Sequence, residues 1–118
     1  MIEIKRAYET AAKKDGYRIL VDRLWPRGVS KEKAAIDLWM KDIAPSVPLR
    51  KWFNHDPKHW KEFQKEYTKE LKENTAVQHM LDLEKQKKLI TLIYGAKSEE
   101  INHASVLRNF LMKKKIRN

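Results

Sequence analysis

The sequence predicts an α/β fold, a small and mainly parallel sheet flanked by helices in a single domain spanning residues 1–118. Two short aliphatic runs, Tyr17-Arg18-Ile19-Leu20-Val21 and Leu89-Ile90-Thr91-Leu92-Ile93-Tyr94, read as strands buried on both faces. Between them lie two stretches with helical spacing, and a chain of 118 residues is the size of one ordinary domain.

Residues 2–8 alternate Ile2 and Ile4 with charges and continue to Ala7 and Tyr8, the pattern of a strand with one buried face. Asp15-Gly16 ends the polar stretch that follows, because glycine readily takes the positive φ of a turn. After the first aliphatic run, Asp22-Arg23-Leu24-Trp25-Pro26-Arg27-Gly28 reads as a functional loop at a strand end. Ser30 caps a short helix through Lys31 to Ala35, and residues 36–40 favour a short strand. Pro45 and Pro48 interrupt the chain before one or two helical turns over 49–53, and Asn54 and His55 form a corner.

Asp56-Pro57 starts a helix running to about Glu73: Asp accepts free amide protons, and Pro at the first helical position sacrifices no needed donor. Its Trp60, Phe63, Tyr67 and Leu71 form one apolar stripe, expected to pack on the sheet. Thr75 caps a second helix with Val77, Met80, Leu81 and Leu83 inward. After the second aliphatic run, Ser98 caps a final helix with Glu99 and Glu100 in its first turn, and residues 113–118 form a short basic tail.

Composition removes several functions. The chain is 42% apolar and 36% charged with 3 Gly and 4 Pro, which argues for a folded domain. No run reaches the roughly 20 apolar residues of a membrane helix, and residues 1–5 do not begin a signal peptide, so a cytoplasmic location is expected. The absence of Cys agrees with a reducing compartment and removes thiolate zinc sites and cysteine nucleophiles. Gly16, Gly28 and Gly95 are too scattered to cradle phosphates in a glycine loop, and no cofactor signature is present. A net charge of +10 suits nucleic acid or other polyanions.

If the two aliphatic runs are parallel neighbours, their carboxyl ends bring Asp22, Arg23 and Tyr94 to one rim, where open α/β sheets bind ligands. Arg23 and Arg27 can grip an anion there with their donor forks, and Asn102 can orient a polar group. The competing reading has Asp22 paired with Arg23 or Arg27 to hold the loop. Trp25, between Arg23 and Pro26-Arg27, either stacks a planar ligand or is buried beneath the loop. His55 beside Asp56 has the composition of an oriented general base, although such pairs also cap helices. His55 and His59 stand four apart, but without a third ligand they predict no metal site. His79 and His103 read as ordinary helical positions.

The run Val21 to Gly28, then Ser30-Lys31-Glu32, Ala44-Pro45-Ser46, residues 49–53 and His55-Asp56-Pro57 resembles the YeaO-like branch of the uncharacterised DUF488 family. The likeness continues through residues 91–97 and Asn102-His103-Ala104 with Val106-Leu107, nearly the whole chain. It implies a single-domain cytosolic α/β protein with no established activity to carry over. Its motifs fall on Asp22, Arg23, Trp25, Arg27, His55, Tyr94 and Asn102, and add Trp52 to the ligand-binding candidates. Gly95 and Ile101 depart from the family's common Ala and His.

Two functions follow. In one, an anionic, nucleotide-like small molecule binds at the rim, with Arg23 and Arg27 as clamps, Trp25 as a wall, Tyr94 and Asn102 as orienting groups, and Asp22 or His55 available for hydrolysis or transfer. In the other, the basic surface binds nucleic acid or protein without catalysis.

Overall fold

Four parallel strands in the order β1-β4-β2-β3 form the centre of the chain, which a computed structural model describes over residues 1–117. The last residue of the expected basic tail, Asn118, and the Arg117 side chain lie outside the described residues. The elements run β1 (Ile2–Arg6), β2 (Tyr17–Leu20), α1 (Lys31–Ala34), β3 (Leu38–Trp39), α2 (Val47–Phe53), α3 (Trp60–Lys72), α4 (Ala76–Lys87), β4 (Ile90–Tyr94) and α5 (His103–Arg117). This is the expected mixed α/β architecture, with both aliphatic runs central and parallel: Tyr17 pairs with Ile90 and Leu20 with Ile93. The weak alternation over residues 36–40 forms the edge strand β3.

Alternation along the strands sends side chains to two unlike faces. Ile2, Ile19, Val21, Ile90, Leu92 and Tyr94 enter the main core with the apolar faces of α3, α4 and α5. Ala7, Leu20 and Ile93 meet Trp25, Ile36 and Trp39 on the other side. That second face also buries Arg18, whose guanidinium donates to Asp15 at 2.6 Å and to the Ala34 carbonyl at 2.8 and 3.0 Å. Burial opposes ionisation of Asp15, but hydrogen bonds from the Ala12 amide, Lys5 and Arg18 outweigh it and hold the carboxyl below its ordinary value. Gly16, at φ 67°, turns the chain into β2, and a Cβ there would lie 2.6 Å from the Leu89 carbonyl oxygen, closer than real Cβ atoms approach.

Three local expectations change. Asp56-Pro57 opens a 3-10 turn and the α-helix begins at Trp60; Phe63, Tyr67 and Leu71 of its stripe are buried and Trp60 half-buried, but α3 lies chiefly against α5 and α2, and its Tyr67 hydroxyl donates to the Ile43 carbonyl at 2.7 Å. Asn74, in place of Thr75, caps α4 through the Ala76 amide at 2.9 Å. The last helix starts at His103, because the Asn102 side chain accepts the Ser105 amide at 2.8 Å. Ser98 does accept amides, from Glu100 and Ile101, but closes only an isolated turn, so Glu99 and Glu100 precede the helix. The basic residues from Lys113 onward continue α5 as helix. Among the described residues, no helix is long and apolar enough to cross a membrane.

Candidate functional site

A cleft of about 240 Å³ opens at the carboxyl ends of β2 and β4. Parallel pairing delivers Asp22 and Arg23 from β2 and Gly95 and Ala96 from β4, while α2 contributes Arg50 and Phe53 and the start of α5 contributes Asn102 and His103. His55 reaches the cleft from the corner after α2, where Asn54 and His55 both adopt left-handed backbone at φ 44° and 56°. A second hollow shares His55, Gly95 and Ala96 with this cleft and reaches Lys97 and Ser98.

Asp22 fixes the rim. One carboxylate oxygen accepts the Gly95 amide at 2.8 Å, and the other lies 3.1 Å from His103 Nε2. That nitrogen is also 3.0 Å from the Val21 carbonyl oxygen, which can only accept, so Nε2 carries a proton. The proton points at Val21 and is shared with Asp22 only electrostatically, which leaves Asp22 Oδ1 without a hydrogen bond in the strict sense. A single carboxylate thus ties β2, the turn after β4 and the first residue of α5 together.

Arg23 contributes positive charge with few internal partners. Its Nε is buried without a hydrogen bond, and its terminal nitrogen makes only long contacts to the Ala44 and Pro45 carbonyls, at 3.4 and 3.3 Å. Buried donors are normally satisfied, so this unpaired Nε leaves the Arg23 charge uncompensated beside the cleft. Arg50 is exposed at the same cleft, and Asp22 is the one carboxylate among the lining residues. Trp25 lines the wall with its indole N–H donating to the Val29 carbonyl at 2.7 Å and its ring edge-on to Trp39, so it is both anchored and partly open to the cleft.

The structure brings Asp22, Arg23, Trp25, His55 and Asn102 to one cavity and leaves Arg27, Trp52 and Tyr94 outside its lining. Arg27 is exposed on the outer loop, where its carbonyl accepts from the Tyr8 hydroxyl. Trp52 lies on the outer side of α2, stacked on His59 at 4.3 Å. Tyr94 is buried in the helix-side core; burial, then Glu99 and Glu9, raise its hydroxyl above the ordinary value against the pull of Arg6. Asn102 is spent internally, donating to Ser98 and capping α5. Asp56 caps its own turn by accepting the Lys58 amide, while His55 leans on the Phe53 ring. Among the described residues, no group of three or more potential ligands is placed to hold a metal ion.

Sequence reasoning missed His103 and Arg50. His103 carries no local signal, since its partners Val21 and Asp22 are about eighty residues away. Arg50 was hidden by Arg27, which is nearer Arg23 in sequence but farther from the cleft.

A family model described as "Inactive DUF488-N3 subclade" matches residues 1–118. The uncharacterised protein YeaO of Escherichia coli K12 is 44% identical over 110 residues, covering 93% of this chain and 96% of its own. An uncharacterised protein of Mycobacterium tuberculosis H37Rv is 34% identical over 110 residues, 93% of this chain and 92% of its own. No solved structure matches the chain.

Proposed function

The chain belongs to the DUF488 family, in a subclade whose description reads inactive, and from that membership and the rim cleft we propose that it binds a small anionic ligand without transforming it. One observation carries the reading. Arg23, Arg50, His55 and His103 converge from four segments on a cavity whose single lining carboxylate is already committed to Gly95 and His103. A site with several cationic donors and a single carboxylate favours an acceptor-rich ligand such as a phosphate monoester or carboxylate. Phe53, Trp25 and Pro26 supply apolar walls for a ring or short chain beside the charge, which keeps a nucleotide-like ligand within the class. Membership of an inactive subclade favours binding over catalysis, and the commitment of Asp22 to the fold supports the same preference. The absence of Cys fits a cytoplasmic setting for such a protein.

The test is titration calorimetry with inorganic phosphate, adenosine monophosphate and a simple aromatic carboxylate. A charge-assisted hydrogen bond contributes about 1.5–3 kcal/mol, so Arg50→Gln should weaken binding roughly 10- to 100-fold. Arg27→Gln should leave it unchanged. Equal effects of the two substitutions, or no heat from any of these ligands at millimolar concentration, would overturn the reading.

A further inference from the structure

The end of the sheet opposite the cleft gathers much of the chain's excess charge. β2 and β4 begin there, directly after the 3-10 turn Lys13–Asp15 and the last turn of α4. α5 ends there as well: it starts at the cleft, and on its way back Arg108 donates to the Ile2 carbonyl and Lys115 to Glu84. Lys13 and Lys14 from the turn, Lys85, Lys87 and Lys88 from the end of α4, and Lys113 and Lys114 from α5 are all exposed. Short contacts join these segments. The Tyr17 amide donates to the Leu89 carbonyl at 3.1 Å, Lys87 Nζ sits 4.9 Å over the Tyr17 ring, and the Gly16 amide donates to the Lys13 carbonyl at 3.2 Å.

Acidic groups do not cancel this charge. Asp15 and Glu84 are 6% and 5% exposed and already engaged, Asp15 by Lys5 and Arg18, Glu84 by the terminal amine and Lys115. The exposed acids near this end are Glu3 on β1, Glu9, which shares a hollow with Lys14, Asp37, whose carboxylate accepts the Arg18 amide at 2.8 Å, and Asp82, a turn earlier in α4 and bonded to Gln78. The contrast with α3 is direct, since Lys61, Lys65 and Lys69 there stand among Glu62, Glu66 and Glu70. Lysines do offset helix carboxyl ends, but each end carries only about half a negative charge, and Lys13 and Lys14 belong to no α-helix. Seven exposed lysines against two helix ends leave a large surplus.

We propose that this lysine face is a second binding surface, independent of the cleft, that holds the phosphate backbone of nucleic acid without reading its sequence. Lysine ammonium groups meet phosphates as point charges, whereas base reading uses forked or planar groups in a groove. Among the described residues, the exposed cations of this face are lysines, and the Tyr17 ring lies beneath Lys87. A lipid surface offers the same phosphates, but its stable use calls for a continuous apolar face, and Met1 and Ile116 are isolated apolar side chains there. Because the face and the cleft lie at opposite ends of β2 and β4, both can be occupied together.

The test is a fluorescence-anisotropy titration of a duplex DNA of about 24 base pairs at about 50 and about 200 mM salt. The wild-type protein should bind in the micromolar range at the lower salt and lose roughly a hundredfold in affinity at the higher, the behaviour of about four phosphate contacts. A variant carrying Lys13→Gln, Lys14→Gln, Lys87→Gln and Lys88→Gln should bind at least about tenfold more weakly with a shallower salt slope. A charge-matched control with Lys61→Gln, Lys65→Gln, Lys69→Gln and Lys72→Gln should stay within about twofold, as should Arg50→Gln, which disables only the cleft. Thermal melting confirms that each variant is folded. Equal loss in the two lysine variants, no binding at the lower salt, or binding to phosphatidylglycerol vesicles with none to DNA would each overturn the proposal.

Discussion

Replacing Asp22 by Asn keeps the shape of the side chain and removes one acceptor, which isolates what the carboxylate does. Its two oxygens face two donors, the Gly95 amide at 2.8 Å and protonated Nε2 of His103 at 3.1 Å. In one orientation the asparagine oxygen serves Gly95 and its NH₂ confronts the His103 proton; in the other the conflict moves to Gly95. Either way a donor meets a donor in a largely enclosed place. Weakening the charge-assisted bond from Gly95, or removing the ionic contact with His103, costs about 1.5–3 kcal/mol. For a domain of this size, about 4 °C per kcal/mol converts this to a fall in melting temperature of roughly 6–12 °C. Calorimetric melting at neutral pH reads the effect directly. The same substitution should weaken ligand binding, because Gly95 and His103 both line the cleft that Asp22 holds together. A variant that melts within about 2 °C of the parent would refute the reasoning, since Asp22 would then be no tie between the strands and α5.

Stability should also fall on acidification. Burial raises the carboxyls of Asp15 and Glu84, but bonded amides and cations more than reverse this and hold both below their ordinary values of 3.8 and 4.5. A depressed native value means that the unfolded chain binds more protons in the acid range, so the stabilisation is complete above about pH 5 and is lost as pH falls further. Urea midpoints measured across this range should decline, and Glu84→Gln should flatten the decline while lowering the midpoint at neutral pH. Gly16→Ala should lower the unfolding free energy read from urea titration by more than about 2 kcal/mol, because it places a Cβ against the Leu89 backbone at φ 67°. An unchanged midpoint would mean that the turn relaxes freely.

The strand core was legible because uninterrupted β-branched and aliphatic runs have few alternatives in so short a chain. Residues 17–21 and 89–94 therefore located the rim, and Ser30, Asp56 and the α3 stripe declared their helices by local chemistry. The start of α5 was not legible, because Ser98-Glu99-Glu100 satisfies the local rules for a helix start and does form a hydrogen-bonded turn. The deciding fact, Asn102 closing on Ser105, is equally local but competes with an equally good signal four residues earlier. Site membership was the harder question. Arg27 and Arg50 are indistinguishable as residue types, and only the fold of residues 22–50 turns one outward and places the other at the cleft. His103 acquired its role through strand pairing that no window of local sequence contains.

The position of β4 between β1 and β2 bears on how the protein is made. On the ribosome the first strand emerges with no neighbour to zip against, since its whole ladder from Ile2 to Arg6 waits for residues 90–94. The second can meanwhile meet only the two residues of β3. Such late, long-range closure slows folding and leaves strand edges bare during synthesis. The charged residues among the opening strand's apolar ones, Glu3, Lys5 and Arg6, are the kind of side chain that discourages a waiting edge from joining another nascent chain.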